Sequence, residues 1–330
     1  MAPTVKEIAK KANVSIATVS RALNNDEKVK EDTRKLILSV AEELNYKPNI
    51  FARNFVKKKS NIIGLILPDI SDEFFSEIIR GVDLISYSHG YYTTVASSHD
   101  NRSIEETIST VIGSGLVGGI ILLVPKLTDE ILNALKIRDL PVVLISGDNG
   151  LKKFSSISIN NYQGAYDMVE FLLAKGYKEI AFIEGPAKNN DAFLRKQGFL
   201  KACEDNGIKI DNSWIVTGDF TKSGGRKACR KLLKLKNKPK AIFASNDMMA
   251  LGCYEIISQN DLRVPDDFAV VGFDDIRISR YLTPPLTTVK VQIPQIGQNA
   301  AKLIIKEMET KHTQIQNIKI PTELVIRMSA

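Results

Sequence analysis

The sequence is poor in the residues on which most catalytic and metal chemistry depends. Its three histidines, His89, His99 and His312, are scattered and form no pair at metal-ligand spacing. Its three cysteines, Cys203, Cys229 and Cys253, lie far apart with no CxxC, which argues for reduced thiols and against a disulfide framework or a zinc site. There is no GxSxG and no GxxxxGK[ST], and scattered serines and aspartates without a partner base do not make a hydrolase. No catalytic residue, cofactor or metal is therefore expected. No stretch approaches the roughly 18 consecutive apolar residues of a membrane helix. The N-terminal MAPTVKEIAKKANVS is charged and has no apolar run of signal-peptide length, so the chain is expected to stay in the cytosol, with no membrane partner. One glycine pattern, Gly113-Ser114-Gly115-Leu116-Val117-Gly118, matches GxGxxG. A dinucleotide fingerprint must follow a strand and open a helix. Here the order is reversed: helical SIEETISTVIG precedes it and the apolar run GIILLV follows, so it reads as a helix end and a turn.

What the chain has is a divided charge. It holds 330 residues, 44% of them hydrophobic and 25% charged, enough for a small domain and a large one. The net charge is +7. Residues 1–60 hold 13 Lys and Arg against 7 Asp and Glu, whereas residues 61–330 hold 32 against 31. A basic head on a nearly neutral body is the electrostatic footprint of nucleic-acid binding. Charge alone does not separate that from a merely solvated basic segment; the pattern inside the head must do so.

Thr4-Val5-Lys6-Glu7 has the form of a capping box, after which Val5, Ile8, Ala9 and Ala12 recur at helical spacing. Asn13-Val14 breaks the helix and Ser15 can cap a second, Ile16 to about Leu23, with Val19, Ala22 and Leu23 on its buried side. Thr18, Ser20, Arg21 and, just beyond, Asn24 lie on the opposite side. A third amphipathic stretch, about Glu31 to Leu44, offers Leu36, Ile37, Val40, Ala41 and Leu44 to a three-helix core. Two short helices joined by a short turn, the second polar at its N-terminus, form the helix-turn-helix pattern that presents residues to base edges.

Residues 61–330 alternate short apolar runs with helical patterns. Expected strands are Ile62–Leu67, Tyr92–Ala96, Gly119–Val124, Pro141–Ile145, Glu179–Ile183, Trp214–Thr217, Ala241–Ala244 and Ala269–Phe273; expected helices include Phe74–His89, Tyr162–Lys175 and Asp191–Asn206. This βαβα order implies parallel sheets covered by helices, and about ten strands fit two doubly wound lobes better than one sheet. Ligands in such folds bind beyond the C-terminal ends of the strands.

TVKEIAKKANVSIATVSRALNN, the third helix ending LNYKPN, and FARNF resemble the head of the LacI (lactose repressor) family of bacterial regulators. The resemblance continues through IGLILPDISDEFFSEIIRGV, VGGIILL, AIFASNDMMALG, VVGFDD, PPLTTVKV, IGQNAAKLI and ELVIRMS, and so covers essentially the whole chain. It implies an all-α helix-turn-helix domain, residues 1–48, a hinge helix and linker, 49–60, and a two-lobed α/β core, 61–330, like periplasmic sugar-binding proteins. The function implied is a DNA-binding transcriptional repressor that binds a palindromic operator as a homodimer and answers to a small-molecule effector, a sugar or sugar derivative.

By that resemblance Ser15, Ile16, Ala17, Thr18, Ser20, Arg21 and Asn24 face DNA, with Ile16 and Ala17 in the two variable positions that set operator preference. Those two offer only apolar contacts, so hydrogen-bonded discrimination falls to Arg21 and its neighbours. Thr4, Thr33 and Tyr46 are expected on phosphates, which fix register. In the hinge, Asn49 caps and Ala52 begins the family's ARxL pattern, whose apolar wedge is Phe55 here in place of the usual leucine. Lys57-Lys58-Lys59 can equally be phosphate contacts or a solvated linker.

Carried over to the core, the effector contacts are Phe74, Arg195, Phe220, Asn246 and Asp274: a planar fork of donors, an amide, a carboxylate and two rings that can stack on a sugar. Asp247 reads as an N-cap, and of Phe74 and Phe75 one is expected in the core and one in the cleft. The family often has Asn-Pro-Phe where Asp72-Glu73-Phe74 stand, and aspartate where Ser146 and Asn160 stand, which leaves the effector open. ELVIRMSA ends at the last strand, with no leucine-heptad tail of the kind that makes tetramers, so a dimer is expected. Three alternatives remain beside a sugar-induced repressor: a phosphoprotein- or nucleobase-corepressed regulator of the same family, an enzyme on the same layers, and a pure solute-binding protein. The last two lack, respectively, a catalytic constellation and an export signal.

Overall fold

In the computed structural model, which describes residues 3–23, 26–46, 60–98, 102–145, 153–310 and 314–330, helix α1 (Val5–Lys11) starts at the capping box. Glu7 Oε2 accepts from the Thr4 amide at 2.7 Å and Thr4 Oγ1 accepts from the Glu7 amide at 3.4 Å. Asn13, at φ 50°, turns the chain in the left-handed region that asparagine tolerates. Ser15 Oγ then accepts from the Thr18 amide at 3.1 Å and opens α2 (Ile16–Leu23). Arg34 Nη2 donates to the Asp26 carbonyl at 2.7 Å, closing the loop into α3 (Glu31–Glu43). Ile8, Val19 and Ile37 are fully buried where the three helices meet. One expectation fails: Leu36 is 49% exposed. The buried stripe of α3 runs Ile37, Val40, Ala41 with Leu44 packed beyond it, and Leu36 lies one residue out of that phase.

The chain forms two compact units, Met1–Ser60 and Asn61–Ala330. The expected hinge, 49–60, lies outside the described residues except for Ser60.

The second unit begins β1 (Ile62–Leu67), α4 (Glu73–Ser88), β2 (Tyr92–Ser97), α5 (Ile104–Gly113), β3 (Gly119–Leu123), α6 (Asp129–Leu135), β4 (Val142–Ile145) and β5 (Ser155–Ile159). It continues α7 (Asn161–Ala174), β6 (Ile180–Glu184), α8 (Asn190–Asp205), β7 (Ile215–Thr217), α9 (Lys222–Leu233), β8 (Ala241–Ala244), α10 (Asp247–Gln259) and β9 (Ala269–Asp274). It ends β10 (Thr287–Val291), α11 (Ile293–Glu309), β11 (Asn317–Ile320) and β12 (Thr322–Val325). Two six-stranded sheets result, in the orders β11-β5-β4-β3-β1-β2 and β12-β10-β9-β8-β6-β7. All pairings are parallel except β12 against β10. Central strands such as β1 (IIGLIL) and β9 (AVVGFD) are buried throughout, as parallel strands covered on both faces must be.

The lobes are not consecutive halves of the chain. After β5 the chain crosses to the second lobe at Asn160, α11 returns to pack on α4 of the first, and β11 joins the first sheet before β12 joins the second. The close α4–α11 contact uses glycines: a Cβ on Gly81 would lie 2.3 Å from the Pro294 carbonyl, and one on Gly297 2.3 Å from that of Ile78.

Candidate functional site

The head presents one surface suited to DNA. At the start of α2, Ser15, Ile16 and Ala17 are exposed, as is Arg21 one turn on, while Thr18 and Ser20 are partly exposed. Ile16, 50% exposed, is a large apolar side chain left in water beside polar ones. Thr4 is exposed but its hydroxyl serves the cap. Thr33 is half-buried, and Tyr46 packs against the head's core. Asn24, Asn49, Ala52 and Phe55 lie outside the described residues.

In the core, Phe74, Arg195, Phe220, Asn246 and Asp274 all line one cavity of about 320 Å³ between the lobes. Each arrives from a different element. Phe74 is in the first turn of α4, whose N-cap Asp72 accepts from the Phe75 amide. Arg195 is on α8, Phe220 precedes α9, Asn246 caps α10, and Asp274 ends β9. The strand ends thus bring polar groups to the cleft edge, as the doubly wound topology requires.

Arg195 anchors the site. Only 3% exposed, it donates through Nε to Asn161 Oδ1 at 2.8 Å, through Nη1 to the Ser245 carbonyl at 2.6 Å, and through Nη2 to Asp274 Oδ1 at 3.0 Å. Its guanidinium lies 3.7 Å from the Phe273 ring centroid and 5.6 Å from that of Phe220. Of five N–H donors, two are not used by these bonds among the described residues. Asp274 Oδ2 likewise has no partner among the described residues. Burial pushes the Asp274 carboxyl up to about 7, with Asp72 and Asp191 adding to the rise and Arg195 opposing it. Asp274 has φ 111° and Asp275 φ 55°, a strained turn held by Arg327, whose Nη2 donates to Asp275 Oδ1 at 2.5 Å. Phe220 stands at φ 67°, and its ring fits because residue 185 is glycine: a Cβ there would lie 2.4 Å from Phe220 Cζ.

Two expectations are corrected here. The N-cap of α10 is Asn246, whose Oδ1 accepts from the Met249 amide at 2.9 Å while Nδ2 donates to the Phe220 carbonyl at 2.9 Å. That leaves Asn246 one free N–H. Asp247 is instead fully buried behind the site, accepting from the Ile276 amide, Ser279 Oγ and Thr288 Oγ1, and burial lifts its carboxyl to about 8. Phe74 and Phe75 do not divide between core and cleft. They meet edge to face at 5.6 Å and both line the cavity.

Sequence reasoning missed Asn161, which follows the first lobe crossing, holds Arg195 and donates through Nδ2 to Asp191 at 2.8 Å. It also missed the apolar floor supplied by first-lobe residues such as Ile145, Ile157 and Ile159.

Residues 4–49 match the family model described as "Bacterial regulatory proteins, lacI family", and residues 169–330 match that of the "Periplasmic binding protein-like domain". The HTH-type transcriptional repressor CytR of Escherichia coli K12 is 35% identical over 329 residues, 99% of this chain and 96% of the relative. The chain belongs to the LacI family of bacterial regulatory proteins. A second relative, catabolite control protein A of Priestia megaterium, is 35% identical over 99% of this chain and 98% of its own. The crystal structure of the Lac repressor dimer bound to operator and the anti-inducer ONPF matches with a TM-score of 0.88 at 26% identity, covering 100% of this chain and 99% of that one. This LacI-family chain is therefore a DNA-binding transcriptional regulator, with a helix-turn-helix head and a two-lobed core of the periplasmic-binding-protein type.

Proposed function

We propose that the protein is a cytoplasmic homodimeric repressor, without enzymatic activity, whose hold on a palindromic operator is set by a small uncharged polyhydroxyl effector bound between the lobes. One observation carries the reading: five side chains from five separate elements converge on one cavity, and Arg195 and Asp274 reach it with hydrogen-bonding groups unspent. Two N–H donors and a carboxylate oxygen suit vicinal hydroxyls, and the Phe74 and Phe220 rings suit the apolar face of a sugar or nucleoside.

The charge of the lining narrows the class. Asp69, Asp72, Asp191, Asp219 and Asp274 face Arg195 and Lys222. Both cations are already paired, Arg195 with Asp274 and Lys222 with Glu255. The lining carries five carboxylates against two cations, a net negative field that repels a phosphate, so a neutral sugar or nucleoside fits better than a sugar phosphate. At the head, Ser15, Ile16, Ala17, Thr18, Ser20 and Arg21 read bases, with Asn24, and Phe55 is the minor-groove wedge.

The test is a thermal-shift screen of the full chain against neutral sugars, nucleosides and sugar phosphates, followed by operator binding with and without each hit. A neutral compound should raise the melting temperature and change operator affinity, and do neither in Arg195→Ala. Stabilisation by sugar phosphates alone, or turnover of the bound compound, would overturn the reading.

A further inference from the structure

The near-neutral balance of the core conceals a strong polarity. Between residues 220 and 240 stand nine lysines and arginines and no acidic residue, whereas the rest of residues 61–330 holds 23 basic and 31 acidic side chains. A single basic strip thus lies on an otherwise acidic body. Lys222 and Arg226 are paired with Glu255. Lys227, Arg230, Lys231 and Lys234, and then Lys236, Lys238 and Lys240, are exposed and make no ion pair among the described residues. Like charges at such density repel one another and cost stability unless something of opposite sign is nearby.

The strip has a shape. Lys227, Arg230 and Lys231, with the C-cap Lys234, recur at i, i+3, i+4 and i+7, along one face of α9 and its end. They border an open depression of about 400 Å³ closed by Thr217, Gly218, Asp219 and Gly224. Its one carboxylate, Asp219, is held at the rim by the Thr221 amide and hydroxyl. Gly224 leaves room for it: a Cβ there would lie 1.9 Å from Asp219 Oδ1. The depression and the effector cavity share this residue, so the loop that carries Asp219 and Phe220 is a wall common to both.

We propose that this basic face of the second lobe is a docking surface for an acidic segment of another protein, through which a partner acts on the regulator. Charge complementarity sets the sign of the partner. A helix stripe facing a depression receives carboxylate side chains spaced at helical or extended intervals. Single-stranded nucleic acid would need exposed aromatic platforms, and residues 221–240 contain no aromatic residue. The docked segment touches the Asp219–Phe220 loop and so bears on the effector cavity without entering it.

The chain carries its own reporter. Its one tryptophan, Trp214, lies 5% exposed beside the strip, and its Nε1 donates to the Asn237 carbonyl at 3.0 Å. The full chain is titrated with short poly-L-glutamate, and separately with random-sequence duplex DNA, while Trp214 emission is followed. Poly-L-glutamate should give a saturable change in emission. Its affinity should fall about tenfold or more in the variant Lys227→Gln, Arg230→Gln, Lys231→Gln, Lys234→Gln, which should melt like the wild type. It should be unchanged in the head variant Lys28→Gln, Lys30→Gln, Lys35→Gln. Replacing the four α9 cations by the opposite cation, lysine for arginine and arginine for lysine, should preserve binding. No saturable change, or equal binding by the α9 variant, overturns the proposal. So does duplex DNA that perturbs Trp214 and loses affinity with the same four substitutions, since the face would then be a nucleic-acid surface. None of these outcomes depends on the effector reading, which concerns Arg195 and Asp274.

Discussion

The head and the core solve the problem of making a site in opposite ways. The head's proposed site lies on one short helix, where Ser15, Ile16, Ala17 and Arg21 are exposed and nearly contiguous in sequence. The core's proposed site gathers residues spread between Phe74 and Asp274 around one cavity, with Arg195 and Asp274 buried and bonded to each other. The contrast follows from the ligands. A DNA duplex is large and is met by a projecting surface, with basic charge supplying affinity. A small solute must be enclosed, and each polar group that encloses it must already be satisfied or be waiting for it.

The sharpest way to break the comparison is to separate the two units. A fragment of residues 61–330 should lose operator affinity by at least about a thousandfold and keep its ligand-induced thermal shift. Operator binding by the full chain should weaken steeply with salt through counterion release. DNA retained by the fragment, or a flat salt response, would dissolve the division of labour.

Arg195→Ala tests the enclosed site. It removes three buried hydrogen bonds and strands Asp274, so effector affinity should fall by about 2–4 kcal/mol. Operator binding without effector should persist. Calorimetry that finds unchanged effector affinity would remove Arg195 from the site.

Within the head, neighbouring leucine-sized residues should behave differently. Ile37→Ala, at a fully buried position, should cost about 2–4 kcal/mol in chemical unfolding of the head, whereas Leu36→Ala, on the exposed side, should cost less than about 0.5 kcal/mol. Equal losses would show that the helical phase is misassigned. Phe55→Ala should weaken operator binding and reduce the bend measured by end-to-end fluorescence transfer, while leaving nonspecific binding nearly unchanged. A complex bent as much as wild type would rule out the wedge.

The last comparison concerns pH. Burial raises the Asp274 carboxyl to about 7 and Asp247 to about 8, above their ordinary value of 3.8. The folded protein therefore keeps these protons at a pH where the unfolded chain has released them. Their contribution to stability is complete below about pH 4 and is lost as pH rises through about 7 to 8. The unfolding midpoint should drop between about pH 5 and 8, and less so in Asp274→Asn. A drop of equal size in that variant would place the titration elsewhere.

How much could be read in advance differs between the regions for the same reason. The capping box at Thr4, the turn at Asn13 and the Ser15 cap are local devices, complete within four residues, and a linear reading finds them. Leu36 was misplaced because an apolar residue beside the stripe looks the same in sequence as one within it. In the core, apolar runs such as IIGLIL and AVVGFD announced themselves, but β5, β10 and β11 did not. Two serines open β5, SSISI, and interrupt the apolar run that would mark a buried strand. In the fold Ser155 Oγ donates to Glu307 Oε1 at 2.5 Å and Ser156 Oγ to Asn317 Oδ1 at 2.7 Å, partners more than 150 residues away.

Taken alone, the sequence determined what depends on nearest neighbours and on residue type. It specified the helix-turn-helix of the head, the alternation of strands and helices, and the basic charge of the first sixty residues, while the five side chains that meet at the cavity were named only through the resemblance to the LacI family. The tertiary structure decided what depends on distant segments coming together. It placed the three crossings between lobes, spent three of Arg195's donors on Asn161, Ser245 and Asp274, made Asn246 the cap and buried Asp247 behind it. The physical reason is that a hydrogen-bond partner or a desolvating wall is a matter of distance in space, and nothing in the order of residues states how far apart 195 and 274 will lie.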